Sequence, residues 1–183
     1  IQEICEAYLS VGTDIIETDT LNSNAVTLAE YGWQDIVYER NLEGARLARR
    51  SADKFSTPDK PRFVAGSIGP TSKSLSMSPD VNNPAARNIT FDELYNAYVD
   101  QIRVLVDGGV YILLIETIFD TLNAKVALTA IQDYNEQNGC DIPVMVSWTL
   151  SDSSGRTLSG QTLEAFYVSI SHVNLLSFGL NCG

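Results

Sequence analysis

The sequence predicts an α/β fold on a parallel sheet, of the kind that closes into a (β/α)8 barrel. Three observations lead there. Five short apolar runs read as strands covered on both faces, because their hydrophobic residues are consecutive rather than alternating. Segments of helical periodicity fill the gaps, giving a helix, four strand–helix units and a last strand, and hence right-handed crossovers in a parallel sheet. Two segments also share one pattern of glycine, apolar strand, Glu-Thr and a following Asn: Gly12 to Thr18 with Asn24, and Gly109 to Thr117 with Asn123. Their Glu, Thr and Asn residues are each 99 positions apart. Units of roughly 30 to 50 residues suit a barrel of about 250 residues. An open doubly wound sheet has the same local signature and stays open as the alternative. Five strands of a barrel would leave two exposed edges, so a piece of this extent is expected to fold poorly alone.

Ile1, Ile4, Cys5 and Tyr8 suggest a first helix stopped near Gly12, and the first strand runs to Glu17-Thr18. The stretch from about Ala25 to Phe55 is helix-prone but broken near Gly32. Arg62 to Gly66 is β-prone. Thr90-Phe91-Asp92-Glu93 is a capping box, with the Thr90 hydroxyl on the Glu93 amide and Glu93 reaching back. Leu94, Tyr98, Ile102 and Leu105 then recur at helical spacing until Gly108-Gly109. The strand ending at Glu116-Thr117 is followed by a helix marked by Leu122, Val126 and Ala130 and closed near Asn138-Gly139. Pro143 to Trp148 is the next strand, Leu163, Phe166 and Ile170 mark the last helix, and Ser177 to Asn181 is the last strand.

With 12 basic against 23 acidic residues the net charge is −11, which repels phosphate backbones and disfavours a nucleic-acid partner. No apolar run approaches a membrane span, so no membrane is expected. Cys5, Cys140 and Cys182 are odd in number and widely spaced, as in a reducing, cytoplasmic compartment rather than a disulfide scaffold. His172 is the only histidine, on a predicted helix face, and nothing resembles a serine elbow, which leaves a Ser-His-Asp hydrolase poorly supported.

Barrel chemistry sits at the C-terminal ends of strands. That singles out Glu17-Thr18, Ser67, Glu116-Thr117, Thr149 with the loop after it, and Asn181-Cys182. Glu116 follows an apolar run and needs a partner. A salt bridge or helix cap is the common use of such a carboxylate; a clamp for a substrate ammonium group is the other. Glu17 has the same choice in more polar surroundings, beside Asp14 and Asp19. Cys182 is a small buried hydrophobe or, as a thiolate, a zinc ligand or nucleophile. The loop Gly66 to Thr71 is glycine-rich but matches neither a P-loop nor GxGxxG. The loop Ser153 to Thr162 is rich in hydroxyls and carries Arg156, suited to holding an anion or capping the next helix. Pro79 to Pro84 is a turn-rich loop.

Taken together these motifs resemble the homocysteine-binding barrel of cobalamin-dependent methionine synthases, within the homocysteine S-methyltransferase family. The resemblance is carried by Asp14-Ile15-Ile16-Glu17-Thr18-Asp19-Thr20 with Asn22 and Asn24, by Gly66 to Thr71, Ser78 to Asn82 and Arg87 to Leu94. It continues through Leu114 to Lys125 and Ser154 to Thr162, and ends with Gly179-Leu180-Asn181-Cys182. It covers nearly the whole chain, in order. The Ser-Pro-Asp-Val-Asn loop resembles this enzyme more than its betaine- or S-methylmethionine-dependent relatives.

The resemblance implies a partial (β/α)8 TIM barrel from about the first helix through the sixth strand, with residues 1–183 as an incomplete domain lacking the first strand and the last two β–α units. It implies a zinc-dependent methyltransferase in which Cys182 is the first of three cysteine ligands. The other two would be an adjacent pair on the order of 60 residues further along. Glu116 matches the residue that binds the homocysteine amino group, Asn181 and Thr117 shape the same mouth, and Glu17 and Thr18 line it. No catalytic group beyond the metal site is implied. Homocysteine sulfur, as the fourth zinc ligand, would become a thiolate and take the methyl group of methylcobalamin, giving methionine. The cobalamin and methyltetrahydrofolate modules of the same parent polypeptide lie outside this chain, and the piece alone is expected to be inactive. A relative using another donor, or a non-catalytic barrel, are the alternatives.

Overall fold

The computed structural model of the protein describes residues 1–150 and 154–182. Ser153, the first residue of the hydroxyl-rich loop, and the terminal Gly183 lie outside the described residues. The strands are β1 (Ile15–Glu17), β2 (Phe63–Ile68), β3 (Ile112–Ile118), β4 (Val144–Thr149) and β5 (Ser177–Asn181). All neighbours pair in parallel, in the order β1-β2-β3-β4-β5. A doubly wound sheet reverses its strand order part-way. This sheet never does, and it curls into a half-barrel, which decides between the two architectures.

The helices are α1 (Gln2–Ser10), α2 (Ala25–Ala29), α3 (Val37–Phe55), α4 (Phe91–Asp107), α5 (Thr121–Asn138) and α6 (Leu163–Ile170), with a 3-10 turn at Gln34–Ile36 before α3. Side chains alternate across each strand, so the sheet has two apolar faces. Ile16, Val64, Ile68, Leu113, Ile115, Val144, Val146 and Trp148 pack outward against the helices. Ala65, Ile112 and Leu114, with Met145 against them, form a separate small cluster on the other face. That two-sided burial is why the strands read as unbroken apolar runs. Two residues further along the chain the second face turns polar: Ser67 follows Ala65, Glu116 follows Leu114, and Ser147 follows Met145.

The helix signals hold in detail. Thr90 N–H donates to Glu93 Oε2 at 2.8 Å and Glu93 N–H donates to Thr90 Oγ1 at 3.3 Å. Leu94, Tyr98, Ile102 and Leu105 are all fully buried beneath α4. Truncating one of them to alanine would cost about 2–5 kcal/mol. Gly139, at φ 62°, closes α5 in the left-handed conformation.

Three expectations need correcting. The stripe on α1 is not a buried face: Cys5 and Leu9 are covered, but Ile1, Ile4 and Tyr8 are exposed beside β1, an edge strand with a partner on one side only. β3 does not end at Glu116-Thr117. It passes through a β-bulge between Ile115 and Ile118 and re-joins β4 at Trp148. His172 lies in the turn after α6, not on its face, because Ser171 already caps the helix.

The long loop from β2 to α4 is pinned to the start of α5. Asp120 caps that helix through Leu122 N–H at 2.9 Å and also accepts from the Ser74 hydroxyl, from Ser76 N–H at 3.0 Å and from Ser76 Oγ at 2.6 Å. Burial disfavours its charge, but these donors outweigh burial and hold its carboxyl below the usual carboxylate range. Asn123 accepts from Leu75 N–H and donates to the Lys73 carbonyl. Gly69 is needed where this loop leaves the sheet, since an added methyl there would lie 2.5 Å from the Leu21 side chain.

Candidate active site at the strand C-terminal ends

Every strand-end residue singled out in the sequence lies at one end of the sheet, and hydrogen bonds tie most of them together. Thr18 is buried just past β1. Its N–H donates to the Ala65 carbonyl at 3.0 Å, and its hydroxyl accepts from Ser67 N–H at 2.9 Å and meets the Thr20 hydroxyl at 2.6 Å. Thr20 donates in turn to the Ser67 carbonyl at 2.7 Å. Thr18 therefore extends the β1–β2 ladder by side chain where the backbone ladder stops.

Ser67 presents its own hydroxyl to Glu116, donating to Oε1. Glu116 is in none of the ion pairs among the described residues. Nor does it cap a helix, since Asp120 caps α5. It is a half-buried carboxylate with a neutral hydroxyl partner and capacity for further donors. Glu17 shares the same mouth. Its carboxyl is raised above the ordinary value, first by partial loss of water and then by the negative charge of Glu116. Two acidic groups that join no ion pair among the described residues make this end attractive to a positively charged group.

On the other side of Glu116 stands Thr117, held at φ 59° in the left-handed region by the bulge. Such a conformation is strained for a β-branched residue. Among the described residues the other non-glycine with positive φ is Cys182, at 56°. Asn181 joins the two: its Nδ2 donates to Thr117 Oγ1 at 2.7 Å and to Cys182 Sγ at 3.4 Å, and its Oδ1 accepts from Ser147 Oγ at 3.0 Å. Thr149 Oγ1 donates to the Asn181 carbonyl at 3.2 Å. Ser147 escaped the sequence reading. Its one local signal is a polar residue inside the run Val144 to Trp148, two positions before Thr149 and so on the same face.

The loop after β4 packs down on this end. Thr121 donates to the Gln161 side chain, Ser159 Oγ donates to the Phe119 carbonyl at 3.1 Å, and Arg156 donates to the Gly160 carbonyl within the loop.

Cys182 is a free, exposed thiol. Cys5 is on the buried side of α1, where burial pushes its thiol up, and Cys140 is exposed after α5 with its Sγ on Asn135. Neither joins Cys182, and the described residues contain no group of three potential metal ligands. As a soft donor at a strand end with an amide N–H beside its sulfur, Cys182 fits one position of a zinc–thiolate set.

The sequence matches the homocysteine S-methyltransferase family over residues 1–183. The chain belongs to that family. Among solved structures it is similar to the homocysteine methyltransferase MmuM from Escherichia coli. The metallated form superposes with a TM-score of 0.79 at 17% identity, over 99% of this chain and 62% of that one. The oxidized form gives 0.78, also at 17% identity, over 99% and 61%. Likeness at this identity establishes the shared fold, and the chain spans about 62% of the length of that structure. Among the described residues no helix is long and apolar enough to cross a membrane.

Proposed function

We propose that this chain is the homocysteine-binding part of a zinc-dependent methyltransferase that makes methionine, with methylcobalamin as the methyl donor, as in cobalamin-dependent methionine synthases. Family membership supports homocysteine as the substrate. The observation that carries the site is the linked set Glu116, Thr117, Asn181 and Cys182, which puts a carboxylate outside any described ion pair and a free thiol at one sheet end.

In this reading Glu116 accepts the homocysteine ammonium group while Ser67 steadies its Oε1. Glu17, beside it, adds negative potential without a defined contact. Thr117 and Asn181 shape the space between the ammonium site and Cys182. Cys182 is one thiolate ligand, and the remaining ligands belong to a parent polypeptide that also carries the cobalamin and methyltetrahydrofolate modules. Bound zinc would lower the pKa of a substrate thiol, which is otherwise mostly protonated at neutral pH. The loop from Thr157 to Gln161 limits water at the same end through its contacts to Phe119 and Thr121.

The donor is tested by supplying the full-length protein with homocysteine and, in separate reactions, methylcobalamin, betaine or S-methylmethionine. Methionine formed with methylcobalamin is the expected outcome. Turnover with betaine or S-methylmethionine alone would move the chain to another branch of its family, and no turnover with any donor would make it a non-catalytic barrel.

A further inference from the structure

Both ends of the Asn181 carboxamide are engaged. Its two N–H groups go to Thr117 Oγ1 and Cys182 Sγ, and its oxygen is braced by Ser147 on the neighbouring strand. A metal-bound thiolate accepts hydrogen bonds and cannot donate them, so only the NH2 side of the amide can face the sulfur. In that orientation the amide oxygen meets the Ser147 hydroxyl at 3.0 Å, which braces it from the neighbouring strand. The residues at its two N–H ends are the two strained, left-handed non-glycine residues among those described. Strain of this kind persists only where the surroundings over-determine it, and Asn181 is the group that contacts both.

We propose that Asn181 is a positioning residue for the metal-ligating sulfur. Its N–H fixes the direction of the Cys182 Sγ and withdraws electron density from it, and its bond to Thr117 locks that sulfur to the bulge that presents Glu116. Ligand-orienting partners outside the coordination sphere commonly matter about ten- to a hundredfold in metal affinity or activity. The distance between ammonium site and sulfur is then set by one amide, bridging β3 and β5 across β4. This inference rests on Cys182 being a zinc ligand.

The test uses the full-length protein loaded with cobalt(II) in place of zinc, and three variants. Asn181→Asp keeps the size but replaces both donors with acceptors. It is expected to shift the sulfur-to-cobalt charge-transfer band to lower energy and to release zinc to a chelator about ten- to a hundredfold faster. Ser147→Ala, which frees the amide without removing it, is expected to give a smaller change in the same direction. Circular dichroism identical to wild type would show that the barrel is intact in both. If Cys182→Ala abolishes the band while Asn181→Asp leaves band position and zinc release unchanged, the positioning role is overturned and the zinc reading stands. If Cys182→Ala itself keeps band and metal, the zinc reading falls and the role of Asn181 falls with it.

Discussion

Two segments of the molecule share one pattern and end in different structures. Gly12 to Asn24 and Gly109 to Asn123 each run from glycine through an apolar strand to Glu-Thr and an asparagine. In the first, the strand stops at Glu17, Thr18 is buried and ties the strand end to β2, and Asn24 caps α2 through Thr27 N–H at 2.8 Å. In the second, the strand continues through a bulge, Thr117 is turned to positive φ, and the cap passes to Asp120. Asn123 is left free to pin the loop before α4. The difference follows from neighbours. Among the described residues β1 has one partner strand, so its Glu-Thr simply ends a ladder. β3 has two, and fitting Glu116 and Thr117 against the single residue Ser147 forces one extra residue out of register. That displacement brings Thr117 within reach of Asn181.

The caps give the largest expected contrast. Asp120→Ala removes a helix cap and also strands the donors of Ser74 and Ser76, a loss of about 2–4 kcal/mol. Asn24→Ala removes a single cap bond and should cost about 1 kcal/mol. Denaturant melts of the two variants check this, and equal losses would show that the Asp120 clamp adds nothing beyond capping. The carboxylates come next. Glu116→Ala should weaken homocysteine binding about ten- to a hundredfold, the loss of a charge-assisted contact, with zinc content kept. Glu17→Ala should change it by less than about threefold, as expected of an exposed charge without a contact. Calorimetric titration with homocysteine separates them, and a larger effect at Glu17 would reverse the assignment.

Smaller still is the contrast between the threonines. Thr18→Ala leaves the buried Ser67 N–H without its acceptor and should cost about 1–2 kcal/mol of stability. Thr117→Ala should leave stability nearer wild type, because losing the Asn181 contact is offset by easing the left-handed backbone, and chemical denaturation of both would show it. The least effect is expected from Glu17→Gln. Folding raises the Glu17 carboxyl, so its ionisation opposes the folded state once the pH exceeds the ordinary carboxylate range. The variant should melt at a slightly higher temperature at neutral pH, and the gain should vanish as the pH falls below that range. A gain that persists in acid would contradict the charge argument.

Most of the fold was legible because its signals are local. Consecutive apolar residues mark β2, β3 and β4, the Thr90–Glu93 box marks the start of α4, and Gly139 marks the end of α5. What escaped depends on residues distant in sequence. The bulge at Glu116-Thr117 arises from register against β4. The exposure of Ile1, Ile4 and Tyr8 depends on what lies beside β1 rather than on their spacing. The position of His172 turned on a helix that ends at Ile170, two residues before it. At the site, strand ends pointed to Glu17, Thr18, Ser67, Glu116, Thr117, Thr149, Asn181 and Cys182, but the roles given to them came from the family resemblance. The Ser67–Glu116 contact and the brace by Ser147 join strands 49 and 34 residues apart along the chain, a separation no local pattern reports.

The most direct measurement of the proposed function is zinc per polypeptide in the full-length protein, wild type against Cys182→Ala. About one equivalent is expected in the wild type, as for a single catalytic site, and none in the variant. A full equivalent retained without the Cys182 sulfur, with methionine still formed, would contradict it.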